Sequence, residues 1–154
     1  MGKTATINAV RPLVAADLVA IQEIDRGSFH SAWSMEMWLS ELNSPLSDYF
    51  VLEAEDRIIG YAGYWLVAGE AQVTRVAVSP DVRNQGLGKR IMQILLERVW
   101  AQDAEAVTLE VRQQNLAAQK VYTQCGFDEV GVRPNYYVET GENAVIMWLY
   151  SSKE

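Results

Sequence analysis

Arg83-Asn84-Gln85-Gly86-Leu87-Gly88 follows a strand-like run, Val73 to Val78, and opens an amphipathic helix whose apolar positions include Leu87, Ile91, Ile94 and Leu95. Glycine at 86 and 88 lets the backbone come close to a ligand. A helix start adds N–H groups without intrahelical partners at the positive end of the macrodipole. The stretch is therefore a candidate phosphate cradle, one that would suit a pyrophosphate. A tight strand-to-helix turn also uses glycine, so the turn leaves both readings open and the flanking sequence has to separate them.

Upstream, Thr6 to Arg11 reads as a first strand, and Asp17 to Phe29 carries Leu18, Ile21 and Ile24 at helical spacing. Ser34 is placed to cap a second helix through Met37, Trp38 and Leu42, ending before Pro45. Tyr49 to Ala54 and Ile58 to Val67 flank Glu55-Asp56-Arg57 as a hairpin, and Gly69-Glu70 turns the chain into Val73 to Val78. Downstream come a helix to about Gln102, a strand Ala106 to Val111, and a helix Asn115 to Cys125 closed by Gly126. Two last strands, Phe127 to Arg133 and Val145 to Tyr150, flank the polar turn from Glu139 to Asn143. The order βααβββαβαββ predicts antiparallel pairing before the glycine turn and parallel pairing across the two β-helix-β passages after it, in a mixed α/β sheet covered by helices.

The chain of 154 residues, 49% hydrophobic and 21% charged, is expected to form one domain with a real core. No apolar run reaches the length of a membrane span, and Met1 to Val10 lacks the pattern of a secretory signal, so a cytoplasmic protein is expected. One cysteine, Cys125, and one histidine, His30, are too few for an internal disulfide or a zinc site of the usual kind. His30 is given no role. Twenty acidic residues against 13 basic ones leave a net charge of −7, which disfavours nucleic acid as a partner. The same charge would attract an amine, although acidity is also a common solubility device.

Within Val107-Thr108-Leu109-Glu110-Val111 the apolar side chains alternate, which puts Thr108 and Glu110 on the other face of the strand. A carboxylate partly buried beside a cleft is suited to general-base work, whereas one on an open edge is ordinary surface. Ala118, Val121, Tyr122 and Cys125 share one helical stripe, so Tyr122 faces the packing side, where a core tyrosine is the plain reading. Cys125 reads as a small packed side chain rather than a nucleophile. Trp33, Trp38, Tyr136 and Tyr137 could line a groove or fill a core.

Taken together these residues resemble the GNAT superfamily of N-acetyltransferases, and within it the RimI-type enzymes that acetylate the N-terminal alanine of a ribosomal protein. The similarity runs through Val76-Ala77-Val78, Arg83 to Lys89, Leu109-Glu110-Val111-Arg112, Asn115, Val121-Tyr122, Cys125-Gly126-Phe127, Arg133 to Tyr137 and Ala144 to Met147, with Trp33-Ser34 at the second helix. It implies a splayed V between strands four and five. There Val76, Ala77 and Val78 would pair with the pantetheine arm of acetyl-CoA, and Arg83, Asn84, Gln85, Gly86, Leu87, Gly88 and Lys89 would meet its pyrophosphate. It further implies Glu110 as general base, Tyr122 as general acid, Asn115 as a partner of the pantetheine arm, and Trp33, Arg75, Tyr136 and Tyr137 at the substrate. No metal is implied. The partners implied are acetyl-CoA and a protein N-terminal peptide, with neither nucleic acid nor membrane, and the enzyme would act as a monomer. A small-molecule amine acetyltransferase is the alternative, followed by a non-catalytic acyl-CoA-binding regulator. Four positions depart from the RimI-type pattern: Ala32, Arg75, Gln114 and Asn143. A fixed cation at Arg75 would disfavour a strongly cationic substrate if it faced the groove.

Overall fold

The structure, a computed structural model, describes residues 6–29 and 31–152; His30 lies outside them. Its seven strands are β1 (Ala9–Pro12), β2 (Ser47–Ala54), β3 (Arg57–Val67), β4 (Glu70–Val78), β5 (Ala106–Arg112), β6 (Asp128–Tyr137) and β7 (Glu142–Tyr150). The helices are α1 (Leu18–Arg26), α2 (Met35–Leu42), α3 (Leu87–Ala101) and α4 (Leu116–Gln124). The element order is the expected one, and the bounds differ mainly at strand ends. β1 starts at Ala9, because Thr6 to Asn8 lie outside the ladder. β6 runs on to Tyr137 because its hairpin partner β7 already begins at Glu142.

Local chemistry accounts for the turns. Glu55 and Asp56 both take positive φ, 51° and 64°, the geometry of a two-residue hairpin turn whose twist matches the strands. The Glu55 N–H donates to Asn8 Oδ1 at 2.9 Å, holding a turn that lacks glycine. Ala68 and Gly69 repeat that geometry between β3 and β4. Ser34 caps α2 by accepting from the Met37 N–H at 3.2 Å.

The strands form one sheet in the order β1-β2-β3-β4-β5-β7-β6. Among the described residues only β4 and β5 pair parallel. The second expected parallel pair is absent because the β6–β7 hairpin folds back and inserts β7, antiparallel to both neighbours, between β5 and β6. Since both faces of the central strands are covered, β2 buries alternate residues on opposite sides. Phe50 and Leu52 join the core under α3, and Tyr49 and Val51 join a second one under α1 and α2. α3 contributes Leu87, Ile91, Met92, Ile94, Leu95, Leu96 and Val99 to the first core. At about 1.5–3 kcal/mol per buried large side chain, that face anchors the helix and hence the turn at its start.

Candidate active site

Two irregularities of β4 open a cleft. Its parallel pairing with β5 covers only Glu70↔Ala106, Ala71↔Val107 and Gln72↔Thr108, and the two strands then diverge. On the other side, Gly63 pairs with Arg75 while the next residue, Tyr64, pairs with Val73, so Thr74 is the extra residue of a β-bulge. A bulge bends the strand that carries it. Beyond Thr74, Val76, Ala77 and Val78 pair with β3 alone and have no ladder partner on the β5 side. The resulting cavity of about 710 Å³ is bordered by Val76, Ala77, Val78, Arg83 and Asn115 from the expected donor site. It is also bordered by Trp33, Arg75, Tyr136 and Tyr137 from the expected acceptor site, and by both Glu110 and Tyr122.

The divergence lets two faces of the sheet meet. Val107, Leu109 and Val111 point into the core under α3, so Glu110 stands on the α1/α2 side, whereas Tyr122 comes from α4, which packs on the opposite core. In a continuous sheet they would be separated by a layer of backbone. Glu110 is half-buried and accepts a hydrogen bond from the Tyr136 hydroxyl at 2.9 Å. Tyr136 reaches it from the far edge because Pro134 to Tyr136 fall outside the β6–β7 ladder, with Asn135 at φ 54°. Asn143 holds this excursion: its Oδ1 accepts the Asn135 N–H at 3.0 Å, and its Nδ2 donates to Gln113 Oε1 at 3.0 Å. The departure at 143 is thus a brace of the acceptor loop. Gln114 is exposed and does not border the cavity.

Tyr122 packs edge-on against Phe127, ring centroids 6.0 Å apart, and no described residue bonds its hydroxyl. Loss of hydration, reinforced by Tyr137 and Cys125, pushes its pKa up to about 12, so it keeps its proton at neutral pH. This arrangement differs from a core tyrosine, whose hydroxyl finds a partner. Cys125 is half-buried against the core and its thiol is pushed up by burial.

The turn after β4 keeps open space. Gly86 sits at the N-cap of α3 with φ 77°, no side chain caps the helix, and the first backbone bond there is Arg90 N–H to Gly86 O at 3.1 Å. A Cβ built on Gly86 or Gly88 would meet no atom within 4 Å. Asn84 also takes positive φ, 65°. Leu87 is buried, so only its backbone can face a ligand, while Gln85 and Lys89 are half-buried on the same turn. Arg83 braces the turn, donating from Nε to Val78 O at 3.2 Å and from Nη2 to Gly27 O and Ser28 Oγ at 3.1 and 2.9 Å. Asn115 caps α4 through Oδ1, which accepts the Ala118 N–H at 3.1 Å.

Arg75 is not a free cation. It pairs with Asp25, a fully buried carboxylate on α1. Asp25 escaped the sequence reading, although a carboxylate one position after Ile24 on the packed stripe of α1 was the available signal. Arg112 likewise pins the hairpin turn, donating to Glu139 at 2.7 Å and Glu142 at 3.0 Å with its guanidinium 3.9 Å from the Tyr137 ring centroid. Among the described residues no group of His, Cys, Asp or Glu is arranged to hold a metal ion, and no helix is long and apolar enough to cross a membrane.

Comparison with known proteins identifies the family and the fold. The family model described as Acetyltransferase (GNAT) family matches residues 18–127. A Bacillus subtilis (strain 168) protein, named provisionally for bS18-alanine N-acetylation, is 37% identical over 142 residues, covering 92% of this chain and 94% of its own. The ribosomal protein bS18-alanine N-acetyltransferase of Escherichia coli (strain K12) is 31% identical, with 93% and 97% covered. The crystal structure of the Escherichia coli ribosomal-protein-S18-alanine N-acetyltransferase superposes with a TM-score of 0.87 over 95% of both chains at 30% identity.

Proposed function

This chain belongs to the acetyltransferase (GNAT) family, with acetyl-CoA as acetyl donor, and on that premise we propose that it acetylates the N-terminal α-amine of a protein, beginning with the alanine of ribosomal protein bS18. Acetyl-CoA supplies an acetyl group activated as a thioester. The residues present fit it. The open space at Gly86 and Gly88 beside uncapped N–H groups suits a pyrophosphate, and the unpaired side of Val76 to Val78 suits an amide-bearing arm.

The observation that carries the reading is the convergence of Glu110 and Tyr122 on one cleft from opposite faces of the sheet. An α-amine with a reference pKa near 8 (about 7.7–8.0) is mostly protonated at neutral pH, so it must shed a proton before it can attack. Glu110 is the acceptor for that proton, oriented by the Tyr136 hydroxyl. Tyr122, protonated at neutral pH, returns one to the departing sulfur. Trp33, Tyr136 and Tyr137 line the acceptor side. The reading takes the enzyme to work as a monomer in the cytoplasm on a ribosomal protein.

The test is incubation of the purified chain with acetyl-CoA and peptides carrying the bS18 N-terminus, read by intact mass. One added acetyl group on the α-amine is expected. No peptide product beside brisk acetylation of spermidine or amino acids would move the reading to a small-molecule amine acetyltransferase.

A further inference from the structure

Resting on the peptide reading above, we propose that the Arg75–Asp25 pair makes the cleft selective for a peptide α-amine over a polyamine. Asp25 is 0% exposed and accepts four hydrogen bonds: from the Tyr61 hydroxyl, from the Trp33 N–H at 2.7 Å, and from Arg75 Nε and Nη2 at 2.8 and 3.0 Å. Arg75 Nη2 also donates to Ser31 O at 3.0 Å. The guanidinium carbon lies 4.0 Å from the Phe29 ring centroid and 4.4 Å from that of Trp33. The side chain is therefore fixed in orientation, and the loop between α1 and α2 is clipped to the bulged part of β4.

One nitrogen is left over. Arg75 Nη1 makes no hydrogen bond to a described residue, and Arg75 borders the same cavity as Glu110. A guanidinium N–H is a donor only, so its natural complement is a carbonyl oxygen. In a peptide N-terminus a carbonyl is attached to the carbon that bears the amine. In a polyamine that place is taken by methylenes, followed by further ammonium groups. Nη1 thus donates to the first carbonyl of a peptide, whereas a polyamine has no acceptor to offer it at that place. Asp25, its charge balanced by Arg75, offers no carboxylate to attract the further ammonium groups. If Arg75 is removed, Asp25 loses two of its four hydrogen bonds and becomes an uncompensated anion behind the cleft wall, so the preference should reverse.

The experiment measures kcat/KM for an alanine-starting peptide and for spermidine with the full chain, as wild type, Arg75→Met, Arg75→Lys and Asp25→Asn/Arg75→Met. In Arg75→Met the peptide value should fall roughly 10- to 100-fold through KM, the worth of a hydrogen bond to a charged donor, while the spermidine value rises. Arg75→Lys should fall between. The double variant buries no unpaired charge, so it should fold, keep the KM for acetyl-CoA, keep the peptide defect and lose the spermidine gain. A merely loosened loop would lower both substrates together, and that result overturns the proposal, as does an unchanged peptide KM in the folded double variant. A wild type that acetylates no peptide overturns the substrate reading first and this inference with it.

Discussion

Glu110→Gln preserves side-chain shape and can still accept from the Tyr136 hydroxyl, so the cleft should stay intact while the proton acceptor is lost. Turnover should drop by roughly 10²- to 10⁴-fold, the usual contribution of a positioned general base. That loss should shrink toward pH 10, where the amine arrives already deprotonated, and a pH–rate series on both proteins measures it. A defect of constant size from pH 7 to 10 would make Glu110 a positioning group. Tyr122→Phe removes a hydroxyl that no described residue bonds, so stability should change little. Its kcat should fall, and the fall should ease with acetyl donors whose thiols are more acidic, since such thiolates leave unaided. Because the Tyr122 pKa is pushed up to about 12, the wild type should not lose this acid below pH 10. An equal defect with every donor would return Tyr122 to a packing role.

At the scale of elements, the turn into α3 depends on Gly86, at φ 77° and with open space where a Cβ would go. Gly86→Val places a branched side chain in a left-handed conformation, costing about 1–2 kcal/mol, and fills the space argued for the pyrophosphate. The seven buried residues of α3 should hold the domain folded despite that cost. Calorimetry with acetyl-CoA should therefore show affinity lost in a protein that still melts cooperatively; unchanged affinity would contradict the cradle. The shape of this turn was legible in the sequence, because φ, capping and the periodicity of a following helix are local properties. The bulge at Thr74 was not. It exists only as a mismatch between β3 and β4, and neither strand carries a residue that announces it.

Across the whole molecule, acid stability should depend on carboxylates held by hydrogen-bonding and charged partners. The Arg11 guanidinium donates to Asp17 at 2.8 Å through two nitrogens and holds its carboxyl below the ordinary range. Burial pushes Asp48 up, but hydrogen bonds from Tyr64 and Arg98 outweigh it and leave that carboxyl lowered as well. A folded-state pKa below the unfolded value adds stability that is fully present above about pH 4 and lost as pH falls through the folded value. Asp17→Asn should then cost about 1 kcal/mol at pH 7, a modest figure because the Arg11 side chain is partly exposed, and should flatten the loss between pH 4 and 2. Urea melts over that range measure it, and parallel pH profiles for variant and wild type would remove Asp17 from the account. Long-range partners also divide what could be read from the chain and what could not. The element order and the shape of the glycine turn were readable, since periodicity and turn chemistry run along the chain, and Glu110 and Tyr122, which border one cavity, were singled out by the family resemblance of the motifs around them. The insertion of β7 between β5 and β6, the reach of Tyr136 to Glu110 and the neutralising of Arg75 by Asp25 came from the folded molecule, because each pairs residues that meet only after the sheet has formed.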